Sequence, residues 1–129
     1  MNPQELLFAS SHEWLYVDRS SKPPVGTVGV SAFAVEQLSD LVFLELPEVG
    51  RVVTAGEPLG EIESVKSVSD IYSPVSGEVI EVNSQLPDSL ETLQNDPYGA
   101  GWFVKIRLTN EEELSKLLDY EAYQKQCRE

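Results

Sequence analysis

The alternation of apolar and polar positions reads as a series of short strands separated by turns. Trp14-Leu15-Tyr16-Val17 predicts a strand, followed by a polar loop over residues 18–24. Residues 25–30 alternate Val and Thr with Gly and predict the next strand. Ser31 is placed to cap a short helix over residues 32–38, with Phe33, Ala34 and Leu38 available to face a core. Residues 41–46 form a strong strand pattern stopped by Pro47. Shorter strands are predicted at 51–53, 59–63, 67–72 and 78–82, with turns at 47–50, 54–57 and 73–77. In those turns Pro presets φ and Gly admits positive φ. Residues 83–101 read as a polar loop and 102–108 as a closing strand. Thr109 with Glu112 three residues on resembles a capping box, with Leu114, Leu117 and Leu118 on one helical face. Residues 121–127 predict a further helix. The expected architecture is a small β sandwich or barrel with peripheral helices.

Val49-Gly50-Arg51-Val52-Val53 is echoed by Ser76-Gly77-Glu78-Val79-Ile80. Two similar units joined through a central hairpin would place that hairpin at one end of the sandwich. The length of 129 residues suits one domain over 1–129, with a core at about 8–108 and a C-terminal helical segment at about 110–127.

Charge and composition narrow the function. A net charge of −13 repels phosphate backbones and anionic lipid, which argues against nucleic acid and membrane as partners. The acidity keeps the chain soluble, and it could also steer the chain onto basic partners. One cysteine, Cys127, allows no intrachain disulfide, and with one histidine, His12, it cannot supply a zinc site of the usual ligand count. Cys127 reads as a passive thiol, and His12 as a structural residue of the first strand. Trp14, Phe43 and Trp102 read as core or surface anchors, and Glu111-Glu112-Glu113 as a solvated first helical turn. Met1-Asn2-Pro3-Gln4-Glu5 lacks a basic segment followed by an apolar run, which reads against a secretory signal and favours a bacterial cytoplasmic setting over a mitochondrial one.

The candidate chemistry centres on Glu63-Ser64-Val65-Lys66-Ser67. If the flanking runs pair as a hairpin, Lys66, one of five lysines, lies at its tip. Position alone is better explained by an ordinary exposed lysine. A special role would rest on amide formation with a carboxylate cofactor, the four-carbon stem adding length and rotation. Lipoamide and biotin are group carriers of this kind.

Glu63-Ser64-Val65-Lys66 resembles the lipoylation motif of the glycine cleavage H proteins. Ser11-His12-Glu13-Trp14 is similar to that family's N-terminal signature, and Val28-Gly29-Val30-Ser31 with Ala34 and Leu38 to its strand-to-helix segment. Residues 41–50, 69–79 and Asp96-Pro97-Tyr98-Gly99-Ala100-Gly101-Trp102 resemble later signatures in the expected order. The chain departs from the pattern at Ser67, where Ala is more frequent, and at Ser39, where Gly is usual.

The resemblance implies a mostly β barrel-sandwich hybrid of two antiparallel sheets, with a short internal helix and C-terminal helices. It implies a non-catalytic carrier with (R)-lipoate on Lys66 and Glu63, Ser64 and Val65 as attachment motif. The implied partners are the pyridoxal-phosphate glycine decarboxylase (P protein), the tetrahydrofolate-dependent aminomethyltransferase (T protein), dihydrolipoyl dehydrogenase (L protein) and the lipoyl-attaching enzymes. The arm would take an aminomethyl group from P to T and be reoxidised by L. A cationic cargo that water can destroy calls for a partly dry groove with a carboxylate, for which Glu13 and Asp70 are the candidates and Ser11 a hydrogen-bond partner. Three rival readings remain at this level. A biotin carrier would usually flank its lysine with methionines, an H-like chain could serve lipoyl relay, and an unmodified adaptor would ignore Lys66.

Overall fold

Strand β9 (Val104–Leu108) shows how local pattern becomes layer. Val104, Ile106 and Leu108 are buried while Lys105 and Arg107 point out, the period-two alternation of a half-buried strand. Nine strands form two antiparallel sheets in the computed structural model, which describes residues 2–128. The larger sheet has the order β1-β2-β3-β9-β8-β5, built from Leu7–Phe8, Glu13–Asp18, Val25–Val30, β9, Gly77–Val82 and Val52–Val53. The smaller has the order β4-β6-β7, built from Leu41–Glu45, Pro58–Ser64 and Val68–Tyr72. The expected two-sheet, mostly β class is the one observed.

The main core lies among residues of both sheets, including Leu15, Val28, Leu44, Ile62, Val79 and Ile106. A second cluster of Leu6, Phe8, Trp14 and Tyr123 seats helix α3 (Tyr120–Cys127) on the outside of β1 and β2. Phe8 and Tyr123 stack at 4.4 Å between ring centroids. Gly29 lies opposite Trp14 across the β2–β3 pair, and a Cβ there would stand 2.6 Å from the indole. The glycine therefore makes room for the ring. The indole N–H donates to the Pro97 carbonyl at 2.9 Å, so the N-terminal and late-loop signatures meet in space.

The echoed segments pair with each other. Val52 faces Glu78 and Val53 faces Gly77, joining β5 to β8. The β6–β7 hairpin emerges between them in the chain, with its turn at residues 65–67.

Several sequence expectations change. Residues 83–101 are not an unstructured loop: they hold a 3-10 turn at Leu86–Asp88 and a helix, α2, at Leu90–Asn95. Leu86 and Leu93 from this stretch are fully buried and Leu90 packs partly against the same core, so three leucines at the spacing of one helical face contribute where a loop was expected. In helix α1 (Ala32–Leu38) Ser31 caps as expected, accepting from the Ala34 N–H at 3.1 Å, but the buried residue is Val35. Ala34 and Leu38 pack only partly against the core. After β9 the cap is Asn110 rather than Thr109, and it opens a 3-10 helix at Glu111–Lys116. Leu118 is already extended and pairs with Phe8, so the three leucines do not share one helical face. Glu113 is not merely solvated, since its carboxylate accepts from the Ser76 N–H and hydroxyl, each at 2.7 Å.

Candidate functional site

Lys66 stands exposed in the turn that joins β6 to β7. The last strand pair is Glu63 with Val68, and the Ser64 N–H donates to the Ser67 carbonyl at 2.8 Å to close the turn. Ser64 is buried, and its hydroxyl lies inside the turn. Its Oγ accepts from the Lys66 N–H at 3.3 Å and the Ser67 N–H at 3.2 Å. This is the local side-chain capping at which serine is effective. The Val65 N–H donates to the Asp40 carbonyl at 3.0 Å, which ties the tip to the segment leaving α1. The backbone under Lys66 is thus held by four N–H hydrogen bonds while the side chain forms no ion pair among the described residues.

Ser11, Glu13 and Asp70 line one groove of about 170 Å³. Strand β2 supplies Glu13, α1 supplies Phe33 and Leu38, and β7 supplies Ser69 and Asp70. Its walls also include Val30, Ile62 and Ile71, so the lining is largely apolar with acids at floor and rim. The two acids differ. Glu13 is buried at 2 % exposure, whereas Asp70 is exposed at the rim and is not in the dry setting anticipated for it.

Burial pushes the Glu13 carboxyl up to about 7, against the pull of its hydrogen bonds. Ser11 donates its hydroxyl to Oε1, and the Tyr72 N–H donates to Oε2 at 3.1 Å. Glu13 therefore also satisfies the backbone at the outer edge of β7. This carboxyl therefore keeps its proton to a higher pH than an exposed glutamate does.

His12 lines the same groove, which the sequence reading did not foresee. It precedes β2 with φ at +84°, a conformation few non-glycine residues adopt. Nδ1 lies 2.7 Å from the Tyr123 hydroxyl, which is 2.5 Å from Ser31 Oγ. Burial pushes the phenol up and the imidazole down, so both are neutral near pH 7. This chain of hydroxyls and imidazole links α3 and the α1 cap to the groove wall. Phe33, 5.3 Å from the His12 ring between centroids, was also missed as a wall residue. Its place beside Ala34 and Leu38 on a capped helix was the available signal.

The model of the family described as "Glycine cleavage H-protein" matches residues 6–129. A glycine cleavage system H protein of Rhodopirellula baltica is 49% identical over 128 residues, covering 99% of this chain and 96% of that one. One from Alcanivorax borkumensis is 52% identical over 124 residues, covering 96% and 94%. The crystal structure of a glycine cleavage system H protein from Mycobacterium marinum matches with a TM-score of 0.86 at 41% identity, covering 96% of this chain and 97% of that one. With one family model spanning almost the whole chain, and fold and sequence agreeing along that length, the chain belongs to the glycine cleavage H-protein family, the non-catalytic lipoyl-carrying shuttle of the glycine cleavage system.

Proposed function

We propose that Lys66 is the residue that carries lipoate, and that the groove beside it shelters the loaded arm between partner enzymes. The observation that carries this reading is an exposed amine on the braced turn of the same β6–β7 hairpin whose Ile62, Ser69 and Asp70 line an apolar groove that holds a buried acid. When attached, the dithiolane supplies a disulfide that can open to take a one-carbon amine and be restored by thiol–disulfide exchange. The residues present fit such a group. Val30, Phe33, Leu38 and Ile62 offer hydrocarbon contact, and Glu13 offers charge.

Each residue then has a physical task. Lys66 provides the nitrogen of the amide, and its stem sets the swing of the arm. Ser64 holds the turn so that the amine projects the same way at each encounter. The apolar walls exclude water from whatever lies between them. Glu13 gives up its proton when a cation enters, because an adjacent positive charge opposes the burial that raised its affinity. Ser11 and the Tyr72 N–H then hold the carboxylate in place. Asp70 contributes an acid at the mouth.

The partners in this reading are the P, T and L proteins and the lipoyl-attaching enzymes. In this reading the chain would carry the aminomethyl group of glycine from P to T, and L would restore the carrier. A bacterial cytoplasmic setting goes with it. The test has two parts. Mass spectrometry after incubation with lipoate and a ligase is expected to find one lipoyl group, on the peptide containing Lys66. The modified chain is then expected to support glycine–bicarbonate exchange by P protein, and Lys66→Arg to support none. Modification elsewhere, or exchange by the unmodified chain, would overturn the assignment.

A further inference from the structure

The outer face of the smaller sheet carries an apolar strip that the fold does not use. Phe43 faces Glu63, and Glu63 faces Val68, in one cross-strand row. Two residues along, Glu45 faces Glu61, and Glu61 faces Asp70. A two-residue step returns to the same side of a sheet, so both rows look outward, while Leu44 and Ile62 between them are buried. A register irregularity between Leu41 and Phe43 breaks the alternation and leaves the consecutive Val42 and Phe43 both in solvent. Val65 adds a further apolar side chain beside Lys66. These four, Val42, Phe43, Val65 and Val68, are 55%, 45%, 67% and 59% exposed, and none belongs to either core cluster.

The charge on this face is one-sided. Strands β4, β6 and β7 with their turn hold Glu45, Glu61, Glu63 and Asp70 against one basic residue, Lys66 itself. None of the four acids forms an ion pair among the described residues. An apolar strip bordered by unpaired carboxylates is complementary to an apolar socket bordered by Arg and Lys.

We propose that this strip is the docking surface for the enzyme that acylates Lys66, and that the enzyme presents such a basic-rimmed apolar socket. The inference rests on Lys66 being the attachment site. Reach selects this occupant over the others. An enzyme acting on the bare amine must approach within the length of a four-carbon stem, and so must cover the residues around the turn. Enzymes that act at the end of a finished arm can stand farther off. In the acylation the neutral Lys66 amine attacks the acyl carbon of a lipoyl adenylate, made by the ligase from lipoate and ATP. A C–N bond forms, the bond from that carbon to the phosphate oxygen breaks, AMP leaves with the electron pair, and the nitrogen loses a proton to water.

The test follows acylation of the full chain by a lipoate–protein ligase with lipoate and ATP, read as intact mass against time. Phe43→Ser/Val68→Ser is compared with Val49→Ser/Val52→Ser, a control at two valines that are 63% and 73% exposed but lie outside this sheet. The first pair is expected to raise KM about tenfold with kcat within about twofold, and the control to leave both within about twofold. Glu45→Lys/Glu61→Lys is expected to raise KM at low salt, with the difference shrinking at high salt. Thermal melts verify folding, and Val65→Ser, in the turn itself, is expected to shift KM in the same direction should the strand pair melt early. An unchanged KM in the folded strand or turn variants, or an equal rise in the control, would overturn the docking face alone. A wild-type chain that gains no lipoyl group at Lys66 would overturn the attachment reading together with it.

Discussion

Replacing Glu13 by Gln removes the titrating group at the groove floor and keeps its shape. The Gln carbonyl can accept from the Tyr72 N–H, while its amide donates to the Ser11 hydroxyl, which rotates to accept. Both protein contacts survive, so the difference between the two chains isolates the charge. The folded carboxyl titrates at about 7 against an ordinary value of 4.5. Between these values the folded state holds a proton that the unfolded state has released, so wild-type stability falls as pH rises through this window. The full penalty is roughly 3 kcal/mol above pH 7, at about 1.4 kcal/mol per pKa unit. Between pH 5 and 8.5 the stability difference should therefore move by about 2 kcal/mol in favour of Glu13→Gln. Urea unfolding at half-unit pH steps measures it, with the slope m compared at each pH. Other titrating groups occur in both chains and cancel in the difference. A difference flat with pH to within about 0.5 kcal/mol would refute the claim that burial dominates at this carboxyl.

Four further outcomes follow from the same structure. Lys66→Ala should abolish lipoyl incorporation yet leave the thermal midpoint unchanged, since the exposed side chain makes no ion pair among the described residues. Ser64→Ala should cost about 1 kcal/mol in urea unfolding and slow acylation of Lys66, because two turn N–H groups lose their acceptor. Ser39→Gly should stabilise by about 1 kcal/mol, since Ser39 ends α1 at φ +59° and ψ −114°, a region open to glycine. Leu93→Ala should cost 2–5 kcal/mol, as expected for a large-to-small change at a fully buried leucine on α2; a loss under about 1 kcal/mol would show that α2 is not part of the core.

Much of the strand layout was legible because β2, β3, β4, β6, β7, β8 and β9 each carry their own alternation or turn signals. The Ser31 cap was legible for the same reason, being a local side-chain-to-backbone contact. Helix α2 was not, although Leu86, Leu90 and Leu93 are spaced as one helical face, because Pro87 and the surrounding polar residues carry the signals of a loop and only the core shows what the leucines enter. The leucines at 114, 117 and 118 misled in the opposite sense. An isolated bridge from Leu118 to Phe8 outweighed a weak helical pattern.

The same division applies to the site. Sequence by itself determined that one lysine sits between two strand patterns, that the chain is acidic, and that ordered signatures surround that lysine. The meeting of those signatures belongs to tertiary structure alone. Trp14 binds Pro97 across 83 positions, Glu13 binds the edge of β7 across 59, and His12 meets Tyr123 across 111. Periodicity reports only neighbours within a turn or a strand, whereas burial of a carboxyl depends on which distant surfaces close around it. The raised pKa of Glu13 is therefore a property of the packed molecule, since its burial comes from surfaces that only the fold brings around it.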